Sequence, residues 1–407
     1  MKGTKFIEKK LQSFILFLKY VSLAVLTGVL VGIIDAVFGR GLLAISDFRM
    51  EHYLFLIPFL PLAGLLITWL YYRFSETSLK GMTLVFETGQ KKREDIPLVL
   101  IPLVMSGTWI THLFGGSAGR EGVAVQIGAT LSHALGHRFH LPKDSRIMLI
   151  TGMAAGFGGL FQTPLAAVFF SMEVIVAGKM QYHALLPALT ASYTAAFTSH
   201  MLGLEKFYVP LQDAVKISDG SIAVRLVVLG IIFGLTGRLF SFLLAQLKKF
   251  FGENLKNPYV RIGVISIPLA LILLLLYNGR YSGLGTNLIS AAFSDGNIYA
   301  YDWILKLLLT VLTLAIGFQG GEVTPLFSIG ASLGIVLGEI LGLSPVHCAA
   351  LGYAAVFAGA TNTLFAPVLI GLEVFGSNDM IPFFIVCMIA YLVNGNKSIY
   401  GAQEVNG

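Results

Sequence analysis

The chain has 407 residues, of which 56% are hydrophobic and 12% are charged, with a formal net charge of +6. A soluble protein needs a surface with about 25–35% charged residues, so this composition excludes an ordinary water-soluble domain. It also excludes nucleic acid as a partner, because the few basic residues cannot form a solvated basic face. The composition predicts a multi-pass protein of the lipid bilayer.

The N-terminal segment combines basic residues with a long apolar run. Four lysines among the first ten residues precede the apolar run 21–34. This run is long and lacks a small-residue cleavage site, so we predict that it remains as an anchor. Basic clusters at 91–93 and 248–249 are the other positive loop signals. Because basic loops stay on the cytoplasmic side, both of these clusters and the N-terminus are predicted to be cytoplasmic.

The later apolar runs are short and are interrupted by glycine. A bilayer crossing needs about 20 apolar residues, and several of these runs fall below that length. Backbone freed by a helix break at membrane depth must be buried in protein or line a polar cavity, so broken spans point to a transport site. The runs are 53–69, 97–105, 222–235, 262–276, 304–316 and 383–393.

The two cysteines, Cys348 and Cys387, lie in apolar sequence without metal-ligand spacing. They are predicted to be packing residues, and the sequence predicts neither a metal site nor a cofactor.

The sequence repeats itself after 200 residues. The segment 152–174 aligns with 352–374, and the identities include phenylalanine, threonine and glutamate as well as small residues. Close helix packing alone would select only small residues, so a shared origin explains the match better. We predict two transmembrane halves, 1–215 and 216–407, with the same succession of broken helices.

Glu121 is the principal candidate for function. It follows a glycine-rich break and precedes an apolar helix that is predicted to run to Leu135. Helix starts attract anions, and an ionised side chain at membrane depth costs about 3 kcal/mol. A carboxylate there would compete with a mobile anion until a proton neutralises it, which predicts a proton-responsive gate. The alternative is a structural ion pair with Arg120, although neighbouring helix positions do not face one another.

The second half supplies a similar helix start in 317–327, where Pro325 is predicted to lie in the first turn. Glu322 precedes that turn, and a protonated Glu322 would donate a hydrogen bond to an anion. Two weaker candidates are Met82, which usually signals packing, and Tyr400, which usually signals an interfacial anchor.

An intramembrane hydrolase is a further alternative, because Ser117 stands in a Gly-x-Ser-x-Gly pattern. The strand-to-helix context that such a nucleophile requires is absent from the sequence, so we predict that the protein is not an enzyme.

Three separated motifs resemble the CLC family of chloride channels and proton-coupled anion antiporters. They are the gating-glutamate motif Gly119–Gly122, the motif Gly320–Pro325, and Ser398–Tyr400 with its anion-coordinating tyrosine. The resemblance covers essentially the whole chain. It implies an all-α polytopic membrane fold of two inverted repeats of short, tilted and broken helices. It also implies a homodimer with one anion path per subunit and no soluble regulatory domain.

At two positions the chain departs from most chloride-handling members, and there it resembles the fluoride-exporting branch, CLC-F. Methionine stands at position 82 instead of serine, and glutamate at 322 instead of an aliphatic residue. The resemblance implies a fluoride/proton antiporter that exports fluoride from the cytoplasm across a prokaryotic plasma membrane, with Glu121 as its gate and Glu322 as a candidate proton path. A chloride/proton antiporter or a passive channel of the same fold remains the alternative. The implied anion-binding residues are Gly81, Met82, Glu322, Val323, Thr324 and Tyr400.

A further departure concerns the proton route. Val174 stands where chloride antiporters of the family carry a second, cytoplasm-facing glutamate. Glu173 lies one residue earlier, and its repeat partner Glu373 suggests that both have a structural role.

Overall fold

The computed structural model describes residues 2–141, 146–211, 215, 220–294 and 296–406, without the side chains of most of the first 13 residues, including Lys2, Lys5 and Lys9. Within these ranges nearly all regular structure is α-helical. The helices are α1 (Lys2–Glu51), α2 (Tyr53–Leu56), α3 (Leu60–Phe74), α4 (Met82–Gly89), α5 (Leu100–Leu113), α6 (Glu121–Arg138), α7 (Arg146–Phe161), α8 (Pro164–Glu173), α9 (Leu185–Met201), α10 (Gly220–Asn254), α11 (Pro258–Leu275), α12 (Thr286–Phe293), α13 (Asp302–Ile316), α14 (Val323–Leu341), α15 (Pro345–Thr361), α16 (Phe365–Phe375) and α17 (Met380–Asn394). Strands β1 (Val176–Ala177) and β2 (Glu404–Val405) pair in parallel.

The helices have the lengths and the apolar character of a multi-pass integral membrane protein. Five helical stretches of the described residues are long and apolar enough to cross a bilayer, namely Phe14–Glu51, Tyr53–Phe74, Gly220–Asn254, Pro258–Leu275 and Val323–Leu341. The other helices include short ones such as α4, α8 and α16, with 8, 10 and 11 residues. The predicted short, broken spans are therefore confirmed. Both cysteines are buried and free, as packing residues are.

The helix order shows the predicted duplication. The helices α1 and α3 to α9 correspond in order and spacing to α10 and α11 to α17. Packing repeats as well: α6 packs on α7 as α14 packs on α15, and α1 packs on α7 and α9 as α10 packs on α15 and α17. The boundary predicted between residues 215 and 216 adjoins 216–219, which lie outside the described residues.

The two halves are inverted relative to each other, as the contacts of α8 and α16 illustrate. Glu173, at the end of α8, accepts hydrogen bonds from the amides that begin α16, including that of Ala366 at 2.9 Å. Glu373, near the end of α16, accepts bonds from the amides of Leu165 (3.2 Å) and Ala166 (2.8 Å) at the start of α8. End-to-start bonds in both directions require the two helices to run antiparallel. The structural role predicted for both glutamates is confirmed, because each caps the helix of the other half.

The close packing within each half depends on matched glycines. A Cβ on Gly128 would lie 2.0 Å from the carbonyl oxygen of Gly152, where α6 meets α7. In the second half, a Cβ on Gly330 would lie 2.0 Å from the carbonyl oxygen of Gly352, where α14 meets α15. Small residues let helix backbones approach this closely, which explains their abundance in both halves.

The starts of α6 and α14 meet inside the protein. The backbones of Gly119 and Gly321 exchange two hydrogen bonds, of 2.5 and 2.7 Å. Gly320 has a φ of +156°, and a Cβ there would lie 2.5 Å from the Cβ of Ala118. The two glycine-rich breaks therefore exist because two loops from different halves cross in contact with each other.

Candidate functional site

Glu121 is the first residue of α6 and is fully buried. Its carboxylate faces the start of α14, where the Thr324 amide donates to Oε2 at 3.1 Å. The Thr324 hydroxyl lies 2.7 Å from Oε1 and 2.6 Å from Oε2. The Arg120 amide is a more distant donor, at 3.3 Å. The prediction that this carboxylate lies at a helix start is confirmed, but the strongest donors belong to the helix of the opposite half.

Arg120 and Glu121 do form an ion pair, although their spacing along a helix had argued against one. The Nε atom of Arg120 lies 3.7 Å from Oε1 of Glu121. Helix spacing does not apply here, because Arg120 precedes α6 with a non-helical φ of −132° and its side chain can turn toward its neighbour. Neither Nε nor Nη1 of Arg120 donates a hydrogen bond to any of the described residues. The pair is therefore loose, and Thr324 makes the shorter contacts to the carboxylate.

A cavity of about 480 Å³ lies beside this region, because Gly320 and Glu322 before α14 and Gln126 of α6 line it. It brings together four of the residues that the sequence singled out, and three basic side chains, Lys80, Lys248 and Arg261, also line it. Val323 and Thr324 are buried and do not line the cavity. The four sequence-predicted residues that do are Gly81, Met82, Glu322 and Tyr400.

The start of α4 forms one wall of this cavity. Gly81 precedes the helix with a φ of +52°, which a glycine adopts readily, and Met82 is the first helical residue. A Cβ on Gly81 would lie 3.3 Å from Oε1 of Gln126, a residue of α6 that also lines the cavity. Gln126 donates to the Gly122 carbonyl at 3.2 Å. Gln126 was not predicted from the sequence, because an amide in the second turn of a glycine-rich helix carries no motif of its own.

Tyr400 is 5% exposed, which excludes the interfacial-anchor interpretation. Its ring packs against Phe86, with centroids 5.2 Å apart, and against Phe170 at 6.3 Å. The buried hydroxyl has no hydrogen-bond partner among the described residues. A buried donor without a partner is costly, so this hydroxyl is available to a ligand in the cavity.

Glu322 occupies the position before α14 that Arg120 occupies before α6. It is half-buried, and its Oε2 atom lies 3.6 Å from where a Cβ on Gly122 would be. Glu322 thus lies beside the start of α6, as Glu121 lies beside the start of α14. The two carboxyl groups reach across the junction of the halves in opposite directions.

Lys306 is a fully buried lysine that was not predicted from the sequence. It lies in α13, and its Nζ donates to Ser117 Oγ (2.9 Å) and to the carbonyls of Tyr281 (3.1 Å) and Gly283 (2.7 Å). Ser117 itself is fully buried, so its hydroxyl is not open to water, which argues against the hydrolase alternative. A lysine within the apolar run 304–316 was the available signal.

Val174, which stands where an inner glutamate was predicted to be missing, is buried. Its backbone carbonyl accepts a hydrogen bond from Nε2 of Gln403 at 2.9 Å.

Comparison with known proteins places the chain among membrane ion transporters. The family described as "Voltage gated chloride channel" matches residues 63–395. A protein of Pseudomonas syringae pv. tomato named "Chloride/fluoride channel protein" is 35% identical over 394 residues, which is 95% of this chain and 86% of that protein.

Two solved structures of ion antiporters have the same fold as this chain. The crystal structure of a CLC-type fluoride/proton antiporter superposes with a TM-score of 0.94 at 52% identity, covering 96% of this chain and 98% of that one. A slow cyanobacterial Cl⁻/H⁺ antiporter, at 20% identity, shares the fold with a TM-score of 0.80 over 94% and 96% of the two chains. The match over residues 63–395 and the 35% identity along nearly the whole chain show that this protein belongs to the voltage gated chloride channel family, the CLC family.

Proposed function

We propose that this protein is a proton-coupled antiporter that exports fluoride from the cytoplasm. The proposal rests on the contacts of the Glu121 carboxylate. It accepts hydrogen bonds from the amide and the hydroxyl of Thr324 at the start of α14. These are the donors that a small anion would use. The CLC-type fluoride/proton antiporter that is 52% identical to this chain supports the same function.

In this proposal the side chain of Glu121 competes with the transported anion. An ionised carboxylate holds the donors of Thr324 and keeps a mobile anion out. Protonation removes the charge that the start of α14 attracts, so the side chain can leave and an anion can take its place. Proton binding and anion binding are then coupled at one position.

Fluoride fits the donor groups of the cavity because it is small and a strong hydrogen-bond acceptor. It needs close donors to repay its large dehydration cost. The Tyr400 hydroxyl, a protonated Glu322 and the amides that begin α4 after Gly81 are the groups that we assign to this role at the cavity, with Met82 beside them. Thr324 and the backbone of Val323 would bind the anion once Glu121 has moved.

The basic side chains of the cavity would raise the local anion concentration. Lys80, Lys248 and Arg261 line it together with the proposed site. Lys248 belongs to one of the basic clusters that the positive-inside rule assigns to the cytoplasm, so the cavity is proposed to open there. We further propose a homodimer in the plasma membrane of a prokaryote, with a cytoplasmic N-terminus and one such path in each subunit.

Ion flux from sealed liposomes tests the transported ion and the coupling. We expect reconstituted protein to carry fluoride faster than chloride, and a fluoride gradient to drive protons uphill. Chloride flux as fast as fluoride flux would favour a chloride/proton antiporter instead. Fluoride flux that cannot move protons uphill would identify a passive channel.

The variant Glu121→Gln tests the gate. Glutamine keeps the size of the side chain and can still accept the bonds from Thr324, but it cannot exchange a proton. We expect uphill proton movement to be lost, as measured with a pH-sensitive dye inside the liposomes. The matched control is Glu253→Gln, at a side chain that is 65% exposed, which should retain full coupling. Coupled exchange that persists in Glu121→Gln would refute the gate.

A further inference from the structure

Three side chains meet where α6 ends, far along the helix from Glu121. His133 and His137 lie four residues apart on one face of α6, and their ring centroids are 4.3 Å apart. Asp95, from the segment between α4 and α5, places Oδ1 3.1 Å from Nδ1 of His137. One ligand atom from each of the three lies within 4.8 Å of the others. No other group of three histidine, cysteine or acidic side chains in the described part of the chain approaches this closely.

The orientation of His133 is fixed by a backbone group. Its Nε2 atom lies 2.8 Å from the carbonyl oxygen of Glu94. A carbonyl oxygen can only accept, so Nε2 carries the proton and the lone pair of the neutral ring is on Nδ1. Histidines that bind metals commonly donate their other ring proton to a carbonyl in this way, which fixes the tautomer and the ring orientation.

We infer that Asp95, His133 and His137 form a binding site for a divalent transition-metal ion, with zinc as the best-suited example. Imidazole nitrogen and carboxylate oxygen are ligands that zinc prefers, and three protein ligands leave a fourth position for water. Two histidines at i and i+4 on a helix are a recurrent zinc-binding arrangement. Asp95 is 73% exposed and His137 37% exposed, so an ion can reach the site from solvent.

An ordinary ion pair explains less of this arrangement. A pair between His137 and Asp95 uses one imidazole, whereas a bound cation would use both rings and the carboxylate together. The site does not depend on the proposed transport function.

The bound ion would join two separate parts of the first half. Asp95 belongs to the segment that precedes α5, and both histidines belong to the helix that begins at Glu121. A metal ion would therefore hold the far end of the gate helix against a surface segment. Binding to the folded protein alone would also stabilise it against unfolding.

Zinc titration of the purified full-length protein, without a polyhistidine tag, tests the site. We expect one zinc ion per chain by calorimetry, a rise in unfolding temperature with zinc, and visible absorption bands of a four-coordinate site with cobalt. His133→Ala and His137→Ala each remove a ligand. Each should weaken zinc binding by more than the roughly 10–100-fold that loss of an outer partner causes.

The matched control is His200→Ala, at an exposed histidine in the last turn of α9, which should bind zinc as the unmodified protein does. Failure of the unmodified protein to bind zinc would overturn the inference, whatever the variants do. Equal affinity in His133→Ala, His137→Ala and the unmodified protein would overturn it as well, because the ion would then bind elsewhere.

Discussion

At the scale of single residues, the contact between Thr324 and Glu121 joins the two halves at the proposed gate. The Thr324 hydroxyl lies 2.6 Å from Oε2 of a fully buried carboxylate, and the Thr324 amide is also a donor. A hydrogen bond to a charged group contributes about 1.5–3 kcal/mol. The hydroxyl and the amide are separable experimentally, because only the hydroxyl depends on the side chain.

We therefore predict that Thr324→Val lowers the free energy of unfolding in detergent by about 1.5–3 kcal/mol. Valine has nearly the shape of threonine but leaves the carboxylate without its hydroxyl donor. Thr324→Ser is the control, because serine restores the hydroxyl and should recover most of the loss. Equal destabilisation by valine and serine would show that packing, and not the hydrogen bond, accounts for the effect.

Single residues also show what the sequence could predict. Glu121 was identifiable because a costly charge beside a glycine break is a local signal. Its main donor, Thr324, lies 203 positions away, and nothing local to either residue assigns the carboxylate to the opposite helix. Lys306 was overlooked for a related reason, since the hydrogen-bond partners of its buried side chain come from the segments around Ser117 and Gly283, which only the fold brings together.

At the scale of helices, glycine pairs set how closely α6 and α7, and α14 and α15, can pack. We predict that Gly128→Ala and Gly330→Ala each prevent most of the protein from folding. The added methyl group would lie 2.0 Å from a backbone carbonyl, so the helices must separate, and overpacking of this kind exceeds the usual cost of about 1–3 kcal/mol. The yield of monodisperse protein in detergent measures the effect.

Gly252→Ala is the control for these helix variants. Gly252 lies in α10, and a Cβ there would meet no atom within 4 Å. Alanine is also the better helix former, so this variant should fold as well as the unmodified protein. Normal yields of Gly128→Ala and Gly330→Ala would mean that the helices can shift without loss, contrary to the close contact described above.

The helix pattern was largely predictable, while the helix ends were less so. Glycine breaks and the 200-residue repeat predicted short spans and the correspondence of the halves, because both are patterns along the chain. The end of α6 was predicted at Leu135 and lies at Arg138 instead, since polar residues in its last turn resemble a loop when read without their neighbours. The antiparallel contact of α8 with α16 has no local signal beyond the matched pair Glu173 and Glu373.

At the scale of the whole molecule, the cavity is proposed to open toward the cytoplasm. Ala402 lines it, and the native thiols of Cys348 and Cys387 are 1% and 0% exposed. We predict that Ala402→Cys reacts with a membrane-impermeant thiol reagent only from the cytoplasmic side, as measured in right-side-out and inverted vesicles. The buried native cysteines should give little background.

Ala300→Cys provides the opposite control. Ala300 is exposed just before α13, and α13 corresponds in the inverted half to α5, which follows the basic segment 91–93. A cysteine at 300 should therefore react only from outside. Labelling of both cysteines from the same side would contradict the proposed orientation of the cavity.

The reciprocal caps of Glu173 and Glu373 have a consequence for how the chain is made. The amides at the start of α8 find their acceptor, Glu373, only 207 and 208 residues later in the chain. During synthesis the first half therefore enters the membrane with exposed amides at that helix start, and it stays incomplete until nearly the entire chain has been translated. Each half therefore reaches its final structure only after the other half has been synthesised and the two have packed together.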